Sequence, residues 1–126
     1  MKLLFLRYFA IGAAGFLGAI ARYFVTLQFG RLNILFPLGT LFINLSGSFF
    51  LGWFLTHVAN RNVSDTTRLA IGVGFVGAYT TFSTLMYESS LLADKGASLA
   101  ATMNLLGSLV LGIIAVRLGI LVGDWI

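Results

Sequence analysis

Residues 74 to 88 read GFVGAYTTFSTLMYE. Four hydroxyl side chains, Thr80, Thr81, Ser83 and Thr84, surround Phe82, and two glycines, Gly74 and Gly77, precede them. A second apolar stretch, GTLFINLSG, contains one amide, Asn44. All these groups are neutral. Hydroxyls and amides donate hydrogen bonds, and the edge of an aromatic ring is electropositive. Donors without carboxylates nearby suit an anion, and a small anion stripped of water needs donors that are short and close. A cation path is expected to place Asp or Glu among them. The only acid in reach is Glu88, four residues beyond Thr84. This chemistry selects an anion without saying which one.

The same stretch carries a backbone signal. Two glycines followed by β-branched Thr80 and Thr81 make a poor continuous helix. Residues 77 to 81 are therefore expected to break it. A break at membrane depth is tolerated where it is buried or faces a watery cavity, and its carbonyls can hold a small cation. Asn44 alone fits two roles equally. It can tie one helix to another, worth about 0.6–2 kcal/mol, or it can stand along a solute path.

The elements that must position these groups are membrane spans. The chain has 126 residues, 59% apolar and 10% charged, with a mean hydropathy of +0.98. A soluble domain carries about 25% charged residues, so this composition indicates an integral membrane protein. The charges mark the spans: Arg31 and Arg61 enclose 29 uncharged positions, Arg68 and Glu88 enclose 19, and Lys95 and Arg117 enclose 21. About 20 apolar residues cross the hydrocarbon core as a helix. With a first helix from about Leu4 to Leu27, carrying Arg22 near its far end, this predicts an all-α, four-helix transmembrane domain over residues 1 to 126. Lys2, Arg7 and the run ending Ala19-Ile-Ala21 also resemble a secretory signal, but the apolar run continues past Arg22 and a retained helix is simpler.

With four spans, one side holds Lys2, Arg7, Arg61, Arg68 and Arg117, and the other Arg22, Arg31 and Lys95. Lysine and arginine bias sets orientation. Five against three is a weak bias, which permits insertion both ways round and hence an antiparallel homodimer. Small residues four apart (Gly15 and Ala19, Ser48 and Gly52, Ser108 and Gly112) and the glycines at 12, 15 and 18 are expected to let helices pack closely. Asn33 to Gly39, with Pro37, reads as the turn into helix two, Asn60 to Asp65 as a polar loop, and Asp94-Lys95-Gly96 as a tight turn.

Other functions find little support. There is no cysteine, so no disulfide or thiolate metal site. The net charge of +4 is dispersed, which argues against nucleic-acid binding. His57 has no companion at ligand spacing, and no nucleophile–base pair supports an enzyme. GVGFVG at 72 to 77 satisfies G-x-G-x-x-G but lies inside a span rather than a βαβ unit. Asn62-Val-Ser64 fits a glycosylation sequon, a triplet that short loops offer by chance.

Over essentially its whole length the chain resembles the Fluc (CrcB) fluoride channels. The residues that carry the resemblance are GxxGxxxR from Gly15 to Arg22, GTLFINLSG from Gly39 to Gly47, GFVGAYTTFST followed by Glu88, and Ser108 in helix four. The resemblance implies a dual-topology antiparallel homodimer in the inner (cytoplasmic) membrane, with two pores that passively export fluoride. It places Asn44 and Ser108 along the pore, Ser83 and Thr84 on a polar track, and the Phe82 ring edge toward the ion. It implies a structural sodium ion held by the carbonyls of Gly77 and Thr80 from both subunits, Arg22 near a vestibule, and Glu88 beside the pore mouth. Two positions depart from the family pattern. Leu85 stands where a second phenylalanine is usual, and Asn104 where a tyrosine is common, although an amide still donates a hydrogen bond. The alternative is a small four-helix, proton-coupled exporter of cationic compounds. Such a transporter needs an acid in helix one, which here has Arg22 and none.

Overall fold

The computed structural model describes residues 1–32, 34–59 and 61–125. Asn33 and Asn60, expected in the turn into helix two and in the polar loop, lie outside the described residues. The described chain is helical throughout its long elements: α1 Lys2–Gly30, α2 Leu38–His57, α3 Asp65–Leu69, a π-helical segment Ala70–Val76, α4 Gly77–Tyr79, α5 Phe82–Asp94 and α6 Ser98–Trp125. Four stretches are long and apolar enough to cross a membrane: Lys2–Gly30, Leu38–His57, Asp65–Asp94 and Ser98–Trp125. The protein is a multi-pass membrane protein.

Local chemistry sets the ends of these helices. Pro37 precedes the first residue of α2, where its fixed φ and missing N–H cost nothing. Ser64 caps α3, its Oγ accepting from the Thr67 N–H at 3.1 Å, while Asp65 in the first turn complements the helix dipole. The serine of the sequon triplet is thus a helix cap. Arg68 donates from Nη2 to the Val58 carbonyl at 2.6 Å, satisfying the end of α2 from the neighbouring element. Gly96, at φ 78°, makes the turn into α6; a residue with a Cβ would be strained there. His57 ends α2 and stacks on Trp53 with ring centroids 5.3 Å apart.

In the third span, Thr80 (φ −77°, ψ 157°) and Thr81 (φ −151°, ψ 114°) have extended dihedrals between the helical residues Tyr79 and Phe82.

Without a hydrophobic force between helices in lipid, close backbone approach is what holds spans together. α2 packs along α6 at three such points. A Cβ at Gly52 would collide with the Val116 carbonyl, one at Gly119 with the Phe49 carbonyl, and one at Gly123 would lie 2.8 Å from the Trp53 carbonyl oxygen. α1 packs on the π-helical segment the same way: a Cβ at Gly18 would meet the Phe75 carbonyl, and one at Gly74 would lie 2.6 Å from the Ile11 carbonyl oxygen. Gly74, the second glycine of GVGFVG, therefore sits at a helix contact rather than in a phosphate cradle. The expected small-residue pairs are only partly used, because Gly12 and Gly112 have no neighbour within 4 Å. This contrast is testable. Gly119→Ala should destabilise the protein by about 1–3 kcal/mol through overpacking, whereas Gly12→Ala should be neutral or slightly stabilising through helix propensity. Thermal unfolding of both variants in detergent measures the difference.

Candidate functional site: a hydroxyl and amide cluster beside an open groove

The site is built from Thr81 outward. In a continuous helix the Thr81 N–H would bond to the Gly77 carbonyl. Here it donates to Asn44 Oδ1 at 2.8 Å, and Asn44 Nδ2 donates to the Thr81 carbonyl at 3.0 Å. The side-chain amide on α2 thus pairs with a backbone residue of the third span through two hydrogen bonds. Of the two roles open to Asn44 from sequence, the tie between helices is present.

The Thr81 side chain caps α5. Its Oγ1 accepts from the Thr84 N–H at 3.3 Å, donates to Thr84 Oγ1 at 2.9 Å and lies 3.4 Å from Ser83 Oγ. The Thr84 N–H is thereby turned away from the Thr80 carbonyl, its ordinary helical partner. Thr80 Oγ1 donates back to the Val76 carbonyl at 2.9 Å. Two carbonyls, those of Gly77 and Thr80, have therefore lost their usual N–H donors to Asn44 and to Thr81. Among the described residues no cluster of His, Asp or Glu could hold a metal ion.

Asn44, Thr80, Thr81, Leu85 and Ser108 line a groove of about 680 Å³, and Phe82 stands on its wall with 73% of its surface exposed. Apart from these polar groups the walls are largely apolar, with Val76, Leu109 and Val116 among them. Ser83 and Thr84 join the cluster through Thr81 rather than by lining the groove.

Leu85 is buried, and its carbonyl accepts a hydrogen bond from Ser89 Oγ at 2.7 Å. Asn104 is fully buried and does not line the groove; its Nδ2 donates to Ser89 Oγ at 2.9 Å. The amide expected to donate along a solute path thus gives this hydrogen bond to a serine. Asn104 Oδ1 and, one turn on, Ser108 Oγ are buried without a partner.

The other expected residues lie apart. Glu88 lines a separate cavity of about 150 Å³ with Thr26, Phe29, Pro37 and Thr40. It shares a hydrogen bond with Thr40, and its Oε2 is buried unpaired. Arg22 is half-buried on α1, one turn before Thr26, whose hydroxyl donates to the Arg22 carbonyl at 3.0 Å. Neither Arg22 nor Glu88 lines the groove. Sequence reasoning named Thr81 only as one hydroxyl among four, although it is the hub, and it passed over Ser89 entirely. The clue to Thr81 was its place directly before the helix that resumes, an N-cap position. Ser89 has no signal apart from its spacing of four from Leu85.

Comparison with known proteins gives a consistent result. The family described as CrcB-like protein, Camphor Resistance (CrcB) matches residues 9–120. The chain is 43% identical over 117 residues to the "Fluoride-specific ion channel FluC" of Chlorobium chlorochromatii (strain CaD3), covering 91% of this chain and 90% of the relative. It is 45% identical over 121 residues to the protein of the same name from Acidobacterium capsulatum, covering 94% and 97%. It is 40% identical over 117 residues to that of Idiomarina loihiensis, covering 92% and 91%. Helix count, motif positions and similarity over almost the full length agree: the chain belongs to the CrcB family.

Proposed function

We propose that this chain is a fluoride-selective channel that lets cytoplasmic fluoride leave the cell passively across the inner membrane. It works as an antiparallel homodimer with two pores. The observation that carries this reading is the neutral cluster around Thr81, where hydroxyls and an amide meet beside an exposed ring without a carboxylate. Fluoride is a small, strongly hydrated anion. Leaving water requires donors in a low-dielectric setting, where each hydrogen bond is stronger than in water. The hydroxyls of Ser83 and Thr84 supply such donors, and the Phe82 edge adds a weak positive field. The names of the relatives point the same way.

What one chain leaves open supports the homodimer. Three spans of one chain line the groove, Phe82 on its wall is left largely exposed, and the charge bias is weak enough for either orientation. The interruption at Thr80 and Thr81 serves the assembly. The Gly77 and Thr80 carbonyls fit a sodium ion in kind, being hard neutral oxygens released from helical bonding. The same pair from a second chain would complete the set. The ion would supply a positive centre that fixes the two interrupted helices against each other. No acid on α1 is available for proton exchange, so a cation exporter is not favoured.

Leu85 bears on rate. As a buried side chain beside the groove it brings no ring edge to the ion. Leu85→Phe should keep or raise fluoride flux, and a folded but inactive variant would count against the placement of this segment. The reading as a whole is tested in a bacterium lacking its own fluoride export. Expression of this chain should restore growth in fluoride-containing medium; failure to do so at wild-type membrane levels would overturn it.

A further inference from the structure

The chain Asn104–Ser89–Leu85 consists of two hydrogen bonds that run in one direction, the first from α6 to α5 and the second within α5. Asn104 Nδ2 donates to Ser89 Oγ at 2.9 Å, and Ser89 donates its one hydrogen to the Leu85 carbonyl at 2.7 Å. With its hydrogen spent there, Ser89 can only accept from Asn104. That forces the amide oxygen to the other side, where Oδ1 is buried with no partner. Ser108 Oγ, one turn further along α6, is buried and unpartnered too. Residues four apart on a helix are neighbours, so two unsatisfied polar groups share one face, and Ser108 opens on the groove.

A buried acceptor without a partner keeps its desolvation penalty uncompensated. One rearrangement transfers the unmet need from acceptor to donors without moving the backbone. If the Ser89 hydroxyl turns from the Leu85 carbonyl to Asn104 and the amide rotates by half a turn, Oδ1 accepts from Ser89. The Leu85 carbonyl keeps its helical N–H. Both Nδ2 hydrogens then face away from Ser89, as donors that only an acceptor can satisfy. The first arrangement offers a lone pair on that face and repels an anion; the second offers donors and attracts one.

We propose that Ser89 is a positioning residue for fluoride passage: it sets which end of the Asn104 amide faces Ser108, and the conducting arrangement is the one in which Ser89 donates to Asn104. The proposal rests on the fluoride-channel reading above. It adds a residue that never touches the ion and assigns the fully buried Asn104 a donor role that depends on Ser89.

The test compares wild type, Ser89→Ala, Ser89→Thr and Asn104→Asp for fluoride efflux from liposomes, with the side-chain amide signals of ¹⁵N-labelled protein followed as fluoride is added. Threonine keeps the hydroxyl and alanine removes it. Ser89→Ala should lose at least about tenfold in flux and show no fluoride-dependent shift of the Asn104 amide, whereas Ser89→Thr should keep both. Asn104→Asp, the same shape without amide donors, should be as impaired as Ser89→Ala or more so. Wild-type flux in Ser89→Ala, or a fluoride shift of Asn104 that survives it, would overturn the proposal while leaving the channel reading intact. Equal loss in Ser89→Ala and Ser89→Thr would also overturn it, since packing rather than the hydroxyl would then be at work. A wild-type protein that passes no fluoride would overturn the channel reading and this proposal together.

Discussion

Asn44→Ala is expected to cost both stability and at least about a hundredfold in fluoride flux. The alanine leaves the Thr81 N–H and carbonyl without the two bonds they make at 2.8 and 3.0 Å. Unpaired buried groups cost about 1–3 kcal/mol each. Thr81 has one local escape: its N–H can return to the Gly77 carbonyl and complete the helix. That repair saves stability but withdraws the carbonyl proposed to hold sodium and moves the Thr81 hydroxyl from Thr84 and Ser83. Flux should therefore fall further than stability alone explains. Asn44→Asp keeps an acceptor for the Thr81 N–H, loses the donor and brings negative charge to the site, so it should fold better than Asn44→Ala and still fail to conduct. Denaturant unfolding in detergent, hydrogen exchange at the Thr81 amide and liposome efflux separate these effects. An Asn44→Ala protein with unchanged flux and unchanged Thr81 protection would remove the amide pairing from the account.

Phe82→Ile makes the opposite kind of test. The ring is 73% exposed in one chain, so its replacement should change the stability of that chain by no more than about 0.5 kcal/mol. The isoleucine is apolar and fills much of the same space, but it has no quadrupole and no positive edge. Flux should drop to background while the protein still purifies and unfolds like wild type. Together the two variants dissociate the site's parts: one loses function through the backbone it holds, the other through the field it supplies. A Phe82→Ile protein that conducts normally would show that the aromatic edge has no part in fluoride passage.

What could be read from the chain alone divides along physical lines. Membrane spans follow from composition and from where charges interrupt it, so four spans near the observed bounds were accessible, with α1 only a few residues longer at each end than expected. Helix ends followed equally local rules, as at Pro37 and Gly96. Packing did not. Gly52 and Gly112 look alike in sequence, but Gly52 faces the Val116 carbonyl and Gly112 meets nothing within 4 Å. Which small residue is used depends on helix pairing, and periodicity alone does not fix that.

The same limit applied to the site. Asn44 and the hydroxyls after Tyr79 could be singled out because polar groups at that depth are expensive. Their bonding could not. That Thr81 would be the hub, that Tyr79 Oη would meet Ser46 Oγ at 2.9 Å, or that Asn104 would give its N–H to Ser89 depends on how helices are rotated about their own axes. Glu88 is the clearest case. It follows Thr84 by four residues on the same helix, yet it faces the small cavity with Thr40, away from the groove.

The central claim is that this chain, with leucine at position 85, passes fluoride and excludes other halides. The most direct measurement is ion efflux from liposomes holding the purified protein, with an ionophore carrying the counter-charge and with fluoride and chloride followed in parallel. The account predicts rapid loss of fluoride with chloride retained. Retention of both ions, or equal loss of both, would contradict it.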